Sequence, residues 1–239
     1  YIQSIDVSNS VNGKSVYFLV NIANYQVPNN AGWIAAINCK NITVKNWIST
    51  PNWDGVLFVD TENSRIINSV LSENYNAIRF DQVSNSNITQ NTMSNNHNTA
   101  LYFEATSNCT ITENEVANNY FFFNIWHHST KNNFYHNDFL GNYRGVLEND
   151  SSNLWDNGAQ GNYWSSFTGV DLNHNGISDT PFLLDSHLNE TDYYPLMSPQ
   201  QNQTANLQNT QNSGTILAMP EEYLNYTISD KNGTIWAKV

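Results

Sequence analysis

Apolar residues recur at every second position in short segments of this chain, and polar residues separate those segments. Ile78 and Phe80 form one such pair, and Leu101 and Phe103 form another. Alternation of this kind is typical of β-strands. The intervening Asn, Ser and Gly residues tolerate the left-handed backbone that tight corners need. The pattern therefore predicts short strands joined by sharp corners, with no room for a helix of ten or more residues beside them.

The pattern repeats at a fixed interval. An Asn-rich motif closes on the same residue type five times, at Asn46, Asn68, Asn91, Asn114 and Asn137. The spacings are 22, 23, 23 and 23 residues, and a fixed period in this range indicates a repeat architecture. Short strands at this period predict an all-β fold, a parallel β-helix in which each repeat is one coil and coils stack at roughly 4.8 Å.

Stacking would place equivalent residues above one another. We expect an internal ladder of hydrogen-bonded amides, because buried amides must be paired, formed by Asn68, Asn91, Asn114 and Asn137. Alternation directs four pairs inward, Val56/Phe58, Ile78/Phe80, Leu101/Phe103 and Asn124/Trp126. Their neighbours then form two outward columns, Leu57/Arg79/Tyr102/Ile125 and Val59/Asp81/Glu104/His127.

The outward columns carry candidate chemistry. Asp81 and Glu104 lie one coil apart, so their carboxyl groups would be roughly 5 Å apart, the separation found in retaining glycosidases. His127 could shuttle protons or bind a metal together with His128. Outward strand positions are also polar where they merely face water.

Three interpretations therefore remain open for this face. It is a solvated surface, or it binds a saccharide or a cation, or it is the catalytic site of a polysaccharide hydrolase or lyase. In the binding interpretation the contacts come from Arg79, Tyr102 and His128. In the catalytic interpretation the acting residues are Asp81, Glu104 and His127. We favour a non-enzymatic role.

Three segments beyond the coils carry a resemblance to a known family. They are Gly161-Asn-Tyr-Trp164, Asp171-Leu-Asn-His-Asn-Gly-Ile-Ser-Asp179-Thr-Pro181 and Asp192-Tyr-Tyr-Pro-Leu196. With the coil motif, they make residues 10–197 resemble the right-handed parallel β-helix proteins of the NosD type, as in secreted archaeal proteins. The resemblance implies the fold. We do not extend its association with copper to this chain, because the sequence has no dense Cys/His/Met cluster.

The second closing segment also resembles a calcium loop. Oxygen ligands fall at its first, third, fifth and ninth positions, a glycine at the sixth, and a backbone carbonyl at the seventh. The predicted ligands are Asp171, Asn173, Asn175, Ile177 and Asp179. The twelfth position is Phe182 and not glutamate, so the segment is not an EF-hand. We expect a structural Ca²⁺ ion that holds the cap; the alternative is an ion-free turn.

Five segments are expected along the chain. Residues 1–40 form opening strands and a cap, 41–160 the coils, 161–197 an aromatic cap with the calcium loop, 198–214 a polar linker and 215–239 a β-hairpin. An isolated hairpin is not stable. It must pack on the β-helix, begin a further domain, or pair with the sheet edge of a neighbouring copy or surface protein.

Composition restricts location and partners. The net charge is −12 and the chain has nine Lys and Arg, which disfavours nucleic acid and anionic membranes as partners. The sequence shows no membrane-spanning run and no signal peptide, and it opens at Tyr1 without Met, so we expect a processed form or a fragment. Eight potential glycosylation sites occur among 42 asparagines: Asn41, Asn87, Asn108, Asn149, Asn189, Asn202, Asn225 and Asn232.

The two cysteines are expected to be free. Cys39 and Cys109 lie three coils apart, roughly 14 Å along the axis, whereas a disulfide needs Cα atoms within about 7 Å.

The sequence as a whole predicts an extracellular surface, matrix or filament protein whose β-helix binds glycans or neighbouring subunits.

Overall fold

A computed structural model describes residues 5–147, 152–185 and 190–200, together with two strands at 227–230 and 233–236. Within these ranges the chain consists of strands, turns and bends. No helix long and apolar enough to cross a membrane occurs in them. The all-β architecture predicted from the repeat is confirmed.

Three stacked sheets form the walls of a parallel β-helix. Sheet I contains β1 (Ser10–Val11), β2 (Lys14–Val20), β4 (Trp33–Ile37), β6 (Asp54–Val59), β9 (Asn76–Asp81), β12 (Thr99–Glu104), β15 (Phe121–Trp126) and β18 (Arg144–Leu147). Sheet II contains β3 (Ala23–Gln26), β5 (Lys40–Lys45), β7 (Arg65–Ile67), β10 (Asn87–Thr89), β13 (Thr110–Thr112), β16 (Thr130–Tyr135) and β19 (Ser152–Leu154). Sheet III contains β8 (Val70–Ser72), β11 (Thr92–Ser94), β14 (Glu115–Ala117), β17 (Asp138–Leu140) and β20 (Tyr163–Trp164).

Each strand pairs in parallel with the strand one coil away, so equivalent side chains stack along the axis. The parallel stack begins at β2, and β1 ends sheet I by pairing antiparallel with β2. Inside the coils, Phe58, Phe80 and Phe103 are fully buried. The centroid of each ring is 5.4 Å from the centroid of the next. Burying each such ring stabilises the fold by about 1.5–3 kcal/mol.

The corners depend on residues with positive φ. At the corner between sheets II and III, one residue of each coil is in the left-handed conformation, with φ between 46° and 57°. These residues are Asn46, Asn68, Gln90, Glu113 and His136. Asparagine tolerates this region better than most L-residues, which accounts for part of the asparagine content of the chain.

The predicted internal ladder exists, but it is displaced by one residue at its start. Asn91, Asn114 and Asn137 are fully buried, and each backbone N–H donates to the side-chain Oδ1 of the next rung at 2.9–3.1 Å. Asn68 is not a rung. It occupies the left-handed corner, and the hydroxyl of Ser69 takes the ladder position instead.

Two further ladders lie at the other corners. One consists of amides that precede sheet I, namely Asn74, Asn96, Asn119 and Asn142. Another precedes the strands of sheet II and includes Cys109, Asn132 and Asn153. The buried backbone groups at the coil corners are therefore paired by side chains of the adjacent coil.

The prediction that Asn124 and Trp126 point inward is wrong. β15 pairs with β12 so that Phe123 lies beside Leu101 and Ile125 beside Phe103. Phe123 and Ile125 are accordingly in the core, whereas Asn124 and Trp126 project outward. The coil from 96 to 119 has one more residue in its corner than the coil before it, so β12 lies 23 residues after β9 but β15 lies only 22 residues after β12.

The last coil is closed by an irregular cap. Trp155 and Trp164 are buried against the core, where Trp164 stacks on Phe139 with centroids 4.3 Å apart. The two-stranded sheet of β21 (Phe182–Asp185) and β22 (Glu190–Asp192) lies beside them. Tyr193 and Tyr194 belong to the predicted aromatic cap, but both side chains are exposed.

Cys39 and Cys109 are free and buried in the structure, as predicted. Burial raises the pKa of the Cys109 thiol to about 12 and also raises that of Cys39. The C-terminal hairpin is present as antiparallel strands β23 (Thr227–Asp230) and β24 (Gly233–Trp236).

Candidate functional site

The outer face of sheet I brings together most of the predicted site residues. One outward column contains Leu57, Arg79, Tyr102 and Asn124, and the next contains Val59, Asp81, Glu104 and Trp126. Apolar residues therefore occupy the N-terminal coils of this face, and charged or polar residues occupy the coils that follow.

Glu104 lies at the centre of the polar part. Its Oε2 is 3.7 Å from an amino group of Arg79, and its Oε1 is 3.2 Å from Nδ1 of His127. The Arg79 guanidinium also lies over the Tyr102 ring, 5.0 Å from the centroid. An arginine that contacts both a carboxylate and an aromatic face is held in one orientation, so this cluster is pre-organised.

Asp81 is a half-buried carboxyl group of this face. Partial burial raises its pKa, and the neighbouring Glu104 raises it further, whereas Arg79 acts in the opposite direction. At the edge of the same sheet, burial raises the pKa of Asp54, which accepts a hydrogen bond of 2.7 Å from Asn76. The negative charge of Glu104 therefore contributes to the raised pKa of Asp81.

His127 reaches the cluster from a different position than predicted. Trp126, not His127, follows Glu104 in the outward column. His127 and His128 are consecutive left-handed corner residues with φ of 46° and 59°, and both side chains are exposed. The structure therefore brings His127 to Glu104 from the rim of the sheet.

The face also contains buried polar atoms without a hydrogen-bond partner in the described part of the chain. They include Nε of Arg79, Oδ1 of Asn124 and Nε1 of Trp126. Asn124 is only 6% exposed, and its amide nitrogen donates to Thr99 at 2.9 Å. Asn124 and Trp126 were not predicted to point outward. The extra corner residue near position 98 is the sequence feature that indicates their register.

A groove of ≈ 470 Å³ runs beside this face, along the corner between sheets I and II. Asn21, Asn38, Asp60 and Gln82 line it as successive left-handed corner residues. Lys40 and Glu62 form an ion pair of 2.7 Å at its margin. The groove is open to solvent and mostly polar.

The predicted calcium loop is a compact turn within the cap. Both carboxylate oxygens of Asp171 accept backbone N–H groups, from Asn175 at 3.1 Å and from Gly176 at 2.9 Å. Asp179 accepts the N–H of Leu172 at 2.7 Å and the side-chain amide of Asn173 at 3.2 Å. Gly176 has φ of +84°, a conformation that glycine adopts without steric cost.

Three of the eight potential glycosylation sites lie on described residues whose environment is known. Asn87 and Asn108 are exposed, and Asn41 is partly exposed and donates to Asn24 at 2.7 Å. Asn41 and Asn108 have positive φ. The remaining five, Asn149, Asn189, Asn202, Asn225 and Asn232, lie outside the described residues.

The family description raises the question of copper. A family model described as "Periplasmic copper-binding protein (NosD)" matches residues 3–169. The described residues contain no group of three or more His, Cys, Asp or Glu side chains that could hold a metal ion. The two thiols are buried three coils apart with raised pKa values, and copper prefers accessible thiolate, thioether or imidazole donors. The metal-binding side chains in the described part of the chain therefore do not fit a copper centre.

No curated protein matches the chain, and no solved structure does either. The family match covers most of the chain, including all the coils of the β-helix. The predicted resemblance is therefore confirmed, and the chain belongs to the NosD family of parallel β-helix proteins.

Proposed function

We propose that the protein is an extracellular surface or matrix scaffold that binds a glycan on the outer face of sheet I. The observation that carries this proposal is the partly exposed cluster in which Arg79 lies 3.7 Å from the Glu104 carboxylate and 5.0 Å from the centroid of the Tyr102 ring. Arg79 and Glu104 would pair with ligand hydroxyl groups, and the Tyr102 ring would supply apolar contact.

The test is binding of a polysaccharide panel that includes neutral and uronic-acid polymers. The Arg79→Ala and Tyr102→Ala variants should bind at least tenfold more weakly, whereas Lys45→Ala, at an exposed position of sheet II, should bind like the parent. Unchanged affinity in both sheet I variants, with the same melting temperature, would remove this face as the site.

A polysaccharide hydrolase or lyase is the alternative, and the raised pKa of Asp81 beside Glu104 favours it. Asp81 would act as the acid, and Glu104 and His127 would assist. The Asp81→Asn/Glu104→Gln double variant distinguishes the two functions. An enzyme would lose the release of new reducing ends while its fold stays intact, and a binding scaffold would release none even as the parent protein.

We further propose that Ca²⁺ binds at residues 171–179 and stabilises the cap. Asp171, Asn173, Asn175 and Asp179 supply oxygen atoms in the order that calcium loops use, with the carbonyl of Ile177 between them. Calcium should raise the melting temperature of the parent protein and leave Asp171→Ala unaffected. The Asp60→Ala variant, at an exposed corner elsewhere, should respond as the parent does.

Neighbouring subunits are the second class of partner that we propose. The β23–β24 hairpin has two edges, and one of them can extend the sheet of another copy or of a surface protein. Electron microscopy of the native material with calcium should show regular fibres or sheets. Isolated short rods would contradict assembly through the hairpin.

A further inference from the structure

Four large aromatic side chains occupy one corner of the β-helix, between sheets III and I. Each follows directly after an asparagine of that corner: Trp53, Tyr75, Tyr120 and Tyr143. They are exposed by 41%, 37%, 51% and 70% respectively. Exposed aromatic side chains that are grouped in this way usually mark a binding surface. We refer to these four residues as the aromatic column.

The column consists of two stacked pairs. The rings of Trp53 and Tyr75 have centroids 4.1 Å apart and an interplanar angle of 20°. Those of Tyr120 and Tyr143 are 5.4 Å apart at 24°. The intervening coil has two corner residues, His97 and Asn98, in place of one. With four coil steps of roughly 4.8 Å, the column is about 19 Å long.

The surrounding structure holds the column in place. The preceding asparagines are rungs of a ladder, so the backbone N–H of Asn74 and of Asn119 each donates to the next rung, at 3.0 and 2.9 Å. Tyr120 contacts Phe121 edge to face, with centroids 4.6 Å apart. Arg144 lies 5.6 Å from the centroid of the Tyr143 ring. The rings are therefore pre-organised, which lowers the entropy cost of binding.

A row of hydrogen-bonding groups runs beside the rings. The side-chain amide of Asn98 donates to Asn76 at 2.9 Å, and that of Asn76 donates to Asp54 at 2.7 Å. Asn98 is partly exposed, so it presents a polar group next to the apolar rings. A ligand that suits this surface has an apolar face and neutral polar edges, repeated along its length.

We propose that the aromatic column binds an extended chain of neutral sugars that lies along the axis of the β-helix. Pyranose rings have an apolar C–H face that packs on aromatic rings and hydroxyl groups that pair with amides. The coil spacing is close to the advance of one sugar unit in an extended polysaccharide. A second site of this kind would let the scaffold contact a polymer along its length.

Charge distinguishes this ligand from the other candidates. Aromatic rows also bind single-stranded nucleic acid, but those sites line a positively charged groove. This chain carries a net charge of −12, and exposed Glu73 lies beside Tyr75 at the same corner. The same net charge disfavours close lateral contact with a second copy. A neutral polymer is not repelled by the negative charge of the protein.

This site is separate from the Arg79–Glu104 cluster, and it rests on the proposed function only in that both ligands are glycans. The experiment measures binding of the full chain to insoluble β-1,4-glucan and chitin, to soluble neutral β-glucan, and to a uronic-acid polymer. The variants are Tyr120→Ala/Tyr143→Ala, the ring-retaining Tyr120→Phe/Tyr143→Phe and Arg79→Ala. Tyr193→Ala is the matched control, because Tyr193 is 56% exposed but lies in the cap.

We expect a neutral glycan to bind the parent, and the double alanine variant to bind at least tenfold more weakly, since aromatic anchors dominate such contacts. The phenylalanine and Tyr193→Ala variants should retain most of that binding. Binding of a neutral glycan that survives the double alanine substitution would overturn the inference.

Two other results would also overturn it and differ in what they say about the proposed function. Binding only of the uronic-acid polymer, lost in Arg79→Ala, would leave the proposed function standing without the aromatic column. Sedimentation velocity that shows a dimer in the parent and a monomer in the double alanine variant would assign the column to self-association.

Discussion

The regular coils and the closing cap both bury backbone N–H groups, but they pair them with different acceptors. In the coils, the acceptor is the neutral amide oxygen of an asparagine in the next coil, as between Asn114 and Asn137 at 3.1 Å. At the cap, the acceptor is a carboxylate. Asp192 accepts the N–H of Asn162 at 2.8 Å, and Glu190 accepts that of Asn153 at 3.1 Å.

The difference follows from the position of the two regions. An asparagine inside the stack both donates and accepts, so one amide serves two neighbouring coils. The last asparagine of a ladder has no coil beyond it, so its backbone N–H needs an acceptor from the cap. A carboxylate has several lone pairs and can accept from more than one donor. Asp192 also accepts the indole N–H of Trp164 at 2.8 Å, and Glu190 accepts that of Trp155. Carboxylates thus end two of the ladders and orient both buried tryptophans.

The largest expected effect comes from removing a central rung. Asn114→Ala would leave the N–H of Asn91 and the carbonyl groups of Ile88 and Thr112 without their present partners. Each buried group left unpaired costs about 1–3 kcal/mol, and we expect a loss of about 3–5 kcal/mol in the free energy of unfolding. Urea denaturation measures it. Asn87→Ala, on the exposed side of β10, should change stability by less than about 0.5 kcal/mol, and equal losses in both variants would contradict the ladder.

The matching change in the cap should cost somewhat less. Asp192→Ala removes the acceptor of two buried donors, on Asn162 and Trp164. We expect a loss of about 3 kcal/mol, together with a change in tryptophan fluorescence before the coils unfold. A variant whose cap and coils unfold together at the parent's urea concentration would show that Asp192 does not close the stack.

Asp138 of β17 and Asp192 of the cap should make the stability of the C-terminal end of the β-helix depend on pH. Burial raises the pKa of Asp138 and of Asp192 to about 6, whereas aspartates in unfolded chains titrate near 4. The folded protein then binds these protons more tightly, so their stabilisation is complete below about pH 4 and is lost as pH rises through 6. The melting temperature should be higher at pH 5 than at pH 7.5.

The Asp138→Asn/Asp192→Asn variant isolates this effect. Lower pH reduces charge repulsion in every variant of an acidic chain, so the informative quantity is the difference between variant and parent. We expect the gain in melting temperature on acidification to shrink by several degrees in the double variant. A gain equal to that of the parent would assign the pH response to other groups.

The smallest effect concerns the two thiols. Cys109 is fully inside the stack, whereas Cys39 lines the open groove near the N-terminal coils. Thiolate is the reactive form, and both pKa values are raised. Alkylation in the native protein at pH 8 should be slow at both sites and faster at Cys39, and mass spectrometry of the labelled peptides measures the ratio. Faster labelling of Cys109 than of Cys39 would contradict the prediction that the Cys109 thiol is the better protected of the two.

The period and the strand alternation predicted the fold well, because identical coils leave the same pattern many times. The register within single coils was harder to predict. Asparagine suits both a left-handed corner and a buried rung, so Asn68 and Asn91 look alike in sequence although only Asn91 is buried as a rung. The interval between equivalent residues is 23 from Ile78 to Leu101, because of the extra corner residue near Asn98, but only 22 from Leu101 to Phe123. Extending the 23-residue interval to β15 reversed the predicted faces of Asn124 and Trp126.

The cap was the least predictable region. Glu190 and Asp192 pair with residues 28–37 positions away in sequence, and no periodic spacing indicates such contacts. The candidate site was predicted in part. Arg79, Tyr102 and Glu104 lie together as expected, because they sit in regular coils, whereas His127 approaches from a corner.

The ladders have a direction, and this bears on how such a chain can evolve. Every rung donates its backbone N–H toward the C-terminal side, so each coil offers the same donors to its successor and the same acceptors to its predecessor. A duplicated coil inserted in phase would find compatible partners on both sides, while the carboxylate ending stays unchanged. Gene duplication can then change the length of the β-helix in steps of roughly 4.8 Å. Neither end of the β-helix has to change its structure.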